Sequence, residues 1–243
     1  MIDELLLLSG NDIPFPAAQL SIHQPRLKEI AYITEPVFHY GSRCLTFSKE
    51  SLSEMDKIGL EDKQDFEIFM SMINDKNFLK FKTDSLKILT LLFPEYDIEV
   101  KSQAILFIKD DFKTALNYNS YEEFKAIIED MFCLKSAGNG DDYNPENGRA
   151  EKIAEKLRKG KTKVAKLKGL STDKVAVFSN YISGLAVGLQ LDINDIMNYT
   201  VYQLFDQYQR FIKKQNSDVY LQAKMAGATG LDEVDNWMDN IHS

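Results

Sequence analysis

The segment "SAGNGDDYNPENG", residues 136–148, interrupts the hydrophobic pattern of the chain more sharply than any other stretch. It contains three Gly, one Pro, three Asn and two Asp. These residue types favour turns, because Gly tolerates positive φ, Pro lacks a backbone N–H, and Asn and Asp bond to their own backbone. We therefore predict an α+β domain over residues 1–137, a linker over 138–148, and a helical domain with an amphipathic C-terminal tail over 149–243.

Helical and strand periodicities are mixed in the N-terminal part. Residues 97–100 and 104–108 are short apolar-rich runs separated by three residues, which predicts an antiparallel hairpin. The segment "AQLSIH", residues 18–23, is a candidate third strand. The predicted fold class is therefore α+β, with a small antiparallel hairpin or sheet accompanied by helices. Apolar stripes predict these helices over residues 51–74, 83–93 and 120–133.

Ser120 is expected to begin the third of these helices. Glu123 follows it at the spacing of a capping box, in which the hydroxyl and the carboxylate each satisfy a backbone N–H. The apolar stripe of this helix comprises Phe124, Ile127, Ile128 and Met131.

The pattern after the break is helical throughout. Asn144 can cap a first helix that has Pro145 at its first position, and Thr200 is expected to cap a later one. Gly184 and Gly188 lie one helical turn apart in an apolar stretch, which predicts a close contact between two helices. Further helices are predicted over residues 172–189, 192–198, 200–215 and 218–226.

The first helix of the second part carries a local excess of positive charge. Residues 144–169 contain nine Lys or Arg and three Glu, a balance of +6 in a chain whose net charge is −8. An apolar seam recurs along it at spacings of four and three, and a lysine row follows the same spacing one residue earlier. Gly160 lies in the seam and decides whether residues 149–168 form one helix or two. The lysine row comprises Lys152, Lys156, Lys159, Lys163 and Lys166.

Three interpretations of the lysine row stay open. The row is either the solvated side of a packed helix, or a phosphate-binding surface for nucleic acid, or a docking surface for an acidic protein. Between residues 149 and 169 there is no aromatic side chain, and the only arginines are Arg149 and Arg158. Base stacking and bidentate base contacts need such side chains, so this composition argues against sequence-specific nucleic-acid binding. Non-specific nucleic-acid binding through residues 149–168 stays as an alternative function.

The C-terminal segment "GLDEVDNWMDNIHS", residues 230–243, has the pattern of an amphipathic helix. Trp237, the only tryptophan, lies beside its apolar face, and four carboxylates make its other side acidic. Such a tail either packs on its own protein or inserts into a groove of a partner. The apolar face comprises Leu231, Val234, Met238 and Ile241, and the carboxylates are Asp232, Glu233, Asp235 and Asp239.

The sequence contains no recognisable arrangement of catalytic or metal-binding residues. Its three histidines lack neighbours at ligand spacing, and the phosphate-binding and nucleophile motifs with fixed spacing do not occur. Cys44 and Cys133 are far apart in sequence and form no CxxC pair, which suits a reducing compartment. No stretch approaches the roughly 18 apolar residues of a membrane span, and the N-terminal run Leu5–Leu8 lacks the basic flank of a signal peptide. We expect no enzymatic activity, no metal, no cofactor and no membrane contact.

Four blocks together resemble a known group of viral proteins. They are "SIHQPRLKEIAYI" (21–33), "YNPENGRAEKIAEKLRKGKTKVAKLKG" (143–169), "NYTVYQLFDQYQRF" (198–211) and "VDNWMDNIH" (234–242). In this order they resemble the tail-morphogenesis proteins of tailed phages and prophages of Gram-positive bacteria. That resemblance implies a tail assembly chaperone or a minor tail protein, and it supplies no catalytic residues.

The resemblance implies a non-enzymatic protein that binds other tail proteins, either tape-measure or tail-tube subunits, with a homo-oligomer left open. A chaperone or scaffold would work in the host cell cytoplasm. The alternative implied role is a structural tail or connector component, which would be retained in the virion. The expected contact surfaces are the lysine row and the tail residues Trp237, Met238 and Ile241, while Asn144, Pro145, Gly160 and Thr200 are expected to have structural roles.

Overall fold

The structure is a computed structural model and describes residues 2–51, 60, 62–134, 178–227 and 238. Helices are accompanied by two small antiparallel sheets, which confirms the predicted α+β class. The predicted linker, residues 138–148, lies outside the described residues, so the division of the chain at this linker stays a prediction.

In chain order the elements are α1 (Glu4–Ser9), β1 (Ile13–Phe15), β2 (Leu20–Ile22), α2 (Leu27–Ile33), α3 (Glu35–Leu45), α4 (Asp65–Asn74), α5 (Leu79–Leu92), β3 (Asp97–Val100), β4 (Ile105–Lys109), β5 (Phe112–Leu116), α6 (Tyr118–Met131), α7 (Phe178–Leu189), α8 (Ile193–Ile196) and α9 (Val201–Met225).

The predicted hairpin is confirmed, but its third strand is a different one from the candidate. β3 pairs with β4 in antiparallel register, with Ile98 opposite Phe107, and β5 continues the sheet on the other side of β4. The candidate segment 18–23 does contain β2, which instead pairs with β1 in a separate two-stranded sheet. The sequence did not predict β5, because "FKTAL" lacks the strict alternation of apolar and polar residues that marks a half-buried strand.

The start of α6 corrects the predicted cap. The N-cap is Asn117, whose side chain accepts a hydrogen bond from the Asn119 N–H at 2.9 Å. Ser120 instead occupies the third helical position, where its hydroxyl accepts a bond from the Asn117 N–H at 3.0 Å. The capping box therefore exists one turn earlier than predicted, with serine in the place expected for a glutamate.

Two other helix boundaries differ from the prediction. α5 begins at Leu79, four residues before the predicted start, and α4 begins at Asp65 within the predicted range 51–74. Two helices were predicted over residues 200–215 and 218–226, but the structure has one helix, α9, with Thr200 and Ala226 as its caps. The segment "QNSD" between them contains no Gly or Pro, and its polar residues cost too little helix propensity to end the helix.

The hydrophobic core is one continuous cluster that includes residues from both sides of the predicted linker. Phe124 on α6 lies near its centre, with ring centroids 5.9 Å from Phe15 and 6.4 Å from Phe93. Tyr121 is fully buried, and its hydroxyl donates to the Leu45 carbonyl at 3.1 Å. Burial raises the pKa of Tyr121 well above its ordinary value. Phe178, Leu185 and Leu204, from α7 and α9, join the same cluster.

α3 and α5 pack against each other at close range, and Gly41 permits this contact. A Cβ placed on Gly41 would lie 2.6 Å from the Asp84 carbonyl oxygen, so a larger residue would push the helices apart. Beside this crossing, the nearly buried Asp84 carboxylate accepts a bond from Lys80 Nζ at 2.5 Å. The Lys80 ammonium also lies 3.9 Å from the centre of the Tyr40 ring.

A partly buried ion pair fixes the start of α4. One oxygen of Asp65 accepts a bond from the Lys49 N–H at 2.9 Å, and the other accepts one from Lys125 Nζ at 2.9 Å. Burial alone would raise the pKa of Asp65, but these two donors outweigh it and hold that pKa below its ordinary value.

We expect Asp65→Asn to lower the free energy of unfolding at pH 7 by about 1 kcal/mol, because a charge-assisted bond is replaced by weaker ones. A lowered pKa in the folded state stabilises the protein above the unfolded pKa of about 3.9 and ceases to do so as pH falls through the folded value. The difference in the free energy of unfolding between variant and wild type should therefore become smaller below about pH 4. Urea unfolding of both proteins at several pH values measures this difference. Asp97→Asn, on an exposed strand position, is the control and should show no such difference.

Candidate partner-binding site

The first turn of α9 is fixed by Thr200, as the sequence predicts. The Thr200 hydroxyl accepts a bond from the Gln203 N–H at 3.3 Å, and the Gln203 side chain accepts one from the Thr200 N–H at 2.8 Å. This reciprocal pair is a capping box that satisfies two backbone donors at the helix start. Gln203 also donates from its side-chain amide to the Leu8 carbonyl at 2.7 Å, which ties α9 to α1.

The chain just before α9 pairs with the N-terminal part through its backbone. The Leu27 N–H donates to the Tyr199 carbonyl at 2.9 Å, and the Lys28 N–H donates to the Met197 carbonyl at 3.0 Å. Arg26 and Thr200 form an antiparallel bridge beside these bonds. Since Thr200 is also buried, the origin of α9 has a fixed position on the α+β body.

α7 contacts α3 through Phe178. Glu35 accepts a hydrogen bond from the Phe178 N–H at 2.6 Å, and the same oxygen contacts His39 Nε2 at 3.2 Å. The Phe178 ring lies 5.7 Å from Phe38 and 5.0 Å from His39, centroid to centroid. The Glu35 carboxylate thus satisfies the backbone donor of Phe178 with a charge-assisted hydrogen bond.

α7 and α9 pack through aromatic rings against small residues. The Tyr181 ring lies edge-on to Tyr208, with centroids 4.6 Å apart, and 5.3 Å from Phe205. A Cβ on Gly188 would lie 2.2 Å from the Phe211 ring, so that ring occupies the space that a side chain would need. The close contact predicted from the two glycines is therefore present.

α9 contains a buried carboxylate, Asp206, that pairs with the partly exposed Arg210 one turn later. Asp206 is 1% exposed, and Arg210 Nε donates to both of its oxygens at 3.1 and 3.2 Å. Arg210 also lies 4.0 Å from Glu4 on α1. A buried carboxylate is costly without its cation, so Arg210, one turn later on the same helix, stabilises the buried Asp206. The contact of Arg210 with Glu4 joins α9 to α1.

The second half of α9 exposes apolar side chains. No residue after Asp206 is fully buried, and Ile212 is 39% exposed. Val219, Leu221 and Met225 are 63%, 52% and 88% exposed. Leu221 and Met225 lie one turn apart on the same face of the helix, and Val219 lies nearly opposite Leu221. We call the stretch from Ile212 to Met225 the exposed arm. A helix that is fixed at one end and shows apolar side chains at the other has the form of a protein-binding element.

Comparison with known families points to the same helices. Residues 171–242 match the family model described as the YomV second domain. This stretch is similar to the YomV second domain. The YomV-like region, residues 171–242, contains α7, α8, α9 and most of the predicted tail, and that family is of phage or prophage type. No curated protein and no solved structure matches the chain.

Most of the site residues predicted from the sequence lie outside the described residues. This applies to the whole lysine row, to Asn144, Pro145 and Gly160, and to Trp237 and Ile241 of the tail. Met238 is described and is 67% exposed. The exposed arm was not predicted as a site, because the apolar residues in "VYLQAKM" do not reveal from sequence alone whether they are buried or in solvent.

The described nucleophiles and potential metal ligands do not form a reactive cluster. Burial raises the pKa of the Cys44 thiol to about 11 and that of Cys133 to about 12, so both thiols are protonated at neutral pH. Across residues 2–51, 60, 62–134, 178–227 and 238, no three or more His, Cys, Asp or Glu residues are grouped so that they could hold a metal ion. His23 lies between two carboxylates, 3.1 Å from Asp12 and 3.3 Å from Glu29. None of the described helices is long and apolar enough to cross a membrane.

We expect Thr200→Ala to lower the free energy of unfolding by about 1–2 kcal/mol, because the cap is lost and the helix N–H of Gln203 is left unsatisfied. Thr200→Ser keeps the hydroxyl and should lose less than half as much. Denaturant unfolding of the three proteins under identical conditions measures the difference. Equal losses in the two variants would mean that packing of the threonine methyl group, and not the cap, holds this turn.

Proposed function

We propose that the chain acts in phage tail morphogenesis by binding other tail proteins, as an assembly chaperone or scaffold. The observation that carries this proposal is the exposed arm, a helix half with Val219, Leu221 and Met225 in solvent and its origin fixed on the body. The similarity of residues 171–242 to a phage-type domain family supports a phage role for the same helices.

The exposed arm suits a chaperone because it is already ordered. The fourteen residues from Ile212 to Met225 extend about 20 Å at 1.5 Å per residue. A partner helix that packs against a preformed helix loses little additional conformational entropy of this protein. An exposed apolar surface of this kind shields the apolar face of an incoming subunit from water until it joins the tail.

The charges of the chain favour a partner that carries both acidic and basic segments. The lysine row would attract acidic segments, and the acidic tail would attract basic ones. Tape-measure proteins and tail-tube subunits are the partners that the resemblance implies. The exposed arm itself carries both signs, with Lys214 and Asp218 paired at 2.8 Å, so it would select partners mainly by apolar contact.

Charged substitutions in the exposed arm should abolish partner capture. We expect Val219→Asp with Met225→Asp to reduce recovery of tail proteins from phage-infected cells at least about tenfold, because each buries a carboxylate in an apolar interface. Affinity purification with quantitative mass spectrometry measures this recovery. Val187→Asp, on α7 and 83% exposed, is the matched control and should leave recovery unchanged. Equal recovery for all three proteins would contradict a role of the arm.

Retention in the particle separates a chaperone from a structural component. A chaperone is released when the tail is complete, so purified particles should contain far less than one copy of this chain per tail. Quantitative mass spectrometry of particles, calibrated against a known tail protein, measures the ratio. Recovery of one or more copies per tail would replace the chaperone role with that of a tail or connector component.

A further inference from the structure

A second apolar surface lies on the α+β body, in a groove of about 440 Å³ between the end of α2 and the outer face of α5. Ile33 forms one side of this groove, and Leu79 and Leu86 form the other. Leu79 is 67% exposed, and Tyr32, next to Ile33 in sequence, is 89% exposed. Large apolar side chains are thus left in solvent around a concave surface, which we call the α2–α5 groove.

The α5 side of this groove alternates large and small side chains. Leu79, Thr83, Leu86 and Thr90 recur at spacings of four, three and four, and they therefore share one face of the helix. This stripe is about 17 Å long, which is about three helical turns. The threonines are smaller than the leucines with which they alternate, so they leave room for apolar side chains of a second helix that recur at the same spacings. The stripe therefore fits an amphipathic helix.

Lysines border the stripe on both sides. At about 100° per residue, Lys82 and Lys87 lie about 70° to either side of its centre. Both lysines line the groove, and within the part of the chain that the structure describes neither forms an ion pair. Asp84, the carboxylate of α5, is nearly buried and pairs with Lys80 instead. The groove therefore carries a positive charge on each border that a ligand can neutralise.

These two charges decide between the possible occupants of the groove. If the same face of a second copy packed on it, the lysines of the two copies would meet across the contact, and like charges there are unfavourable. A nucleic acid would place its phosphates over Leu79 and Leu86, where they gain nothing from the apolar area. An acidic amphipathic helix suits both features, because its apolar face covers the leucines and its bordering carboxylates reach the lysines.

We propose that the α2–α5 groove binds an amphipathic helix of a different protein, with carboxylates on both borders of its apolar face. In heptad notation, apolar residues at positions a and d contact Leu79 and Leu86, and Glu or Asp at positions e and g pair with Lys82 and Lys87. The lysine stems cover the edges of the contact while their ammonium groups meet the carboxylates. The groove is separate from the exposed arm, and the proposal does not rest on a role in tail morphogenesis.

Synthetic peptides of about three heptads test this charge pattern on the full-length chain. The acidic peptide has Leu at a and d, Glu at e and g, and Ala or Gln elsewhere, and its like charges disfavour pairing with itself. The basic peptide has Lys in place of every Glu. We expect the wild-type chain to bind the acidic peptide at least about tenfold more tightly in Kd, because only this peptide pairs with Lys82 and Lys87. Fluorescence anisotropy of labelled peptides measures each Kd.

Charge reversal in the groove should exchange this preference. Lys82→Glu with Lys87→Glu should bind the basic peptide at least about tenfold more tightly than the acidic one, because the borders then attract lysine. Leu79→Asp, at a position that is 67% exposed and tolerates the change, should weaken binding of both peptides, since the contact would bury its carboxylate. The control Lys63→Glu with Lys113→Glu adds the same charge at exposed positions outside the groove and should keep the wild-type preference.

Several results would overturn the proposal. One is a wild-type chain that binds both peptides equally or leaves the acidic peptide unbound, and another is a preference for the acidic peptide that survives charge reversal. Self-association that Leu79→Asp abolishes, or displacement of the acidic peptide by a short DNA duplex, would make a second copy or nucleic acid the occupant instead. Val219→Asp with Met225→Asp in the exposed arm should leave both peptide affinities unchanged, so failure of the groove and failure of the proposed function are distinguished.

Discussion

The backbone contact between residues 26–28 and 197–200 determines how the rest of the described structure is arranged. It joins segments that are distant in sequence by hydrogen bonds from Leu27 and Lys28 to the chain before α9. These bonds place Thr200, and the capping box at Thr200 then sets the first turn of α9. The Gln203 bond to the Leu8 carbonyl then extends this anchor to α1, whereas the Asp206–Arg210 pair lies within α9 itself. Without it the apolar stripe of α9 would have no fixed register against α1 and α6.

Several parts of the fold could be predicted from the sequence because their signals are local. The hairpin of β3 and β4 follows from two apolar runs around a short polar turn, and the Thr200 cap follows from one residue at the right offset. The glycine pair on α7 also indicated its contact correctly, because Gly188 leaves room for the Phe211 ring. Propensity and spacing suffice where a structure depends on neighbours within one turn.

The sequence gives weaker guidance wherever distant contacts decide the structure. The pairing of β2 with β1, and not with the larger sheet, depends on which strands meet after folding. Asn117 displaced Ser120 as the cap of α6 because both residue types can cap, and the choice between them is made by where the helix packs. The exposed arm could not be ranked as a site from periodicity, since apolar residues such as Val219 and Leu221 look the same in sequence whether buried or in solvent. The lysine row, predicted from charge, stays a prediction.

Because α9 is continuous, its length determines the orientation of the exposed arm as well as its distance from the body. Its anchored first turns and its exposed arm belong to one helix, so each inserted residue would turn the arm by about 100° and advance it by about 1.5 Å. A seven-residue deletion would shorten the arm by about 10 Å yet return its apolar side chains to nearly the same direction. The number of residues in α9 thus sets both how far the arm extends from the body and the direction in which its apolar side chains point. A seven-residue change alters the first and nearly preserves the second, whereas a change of one residue alters both.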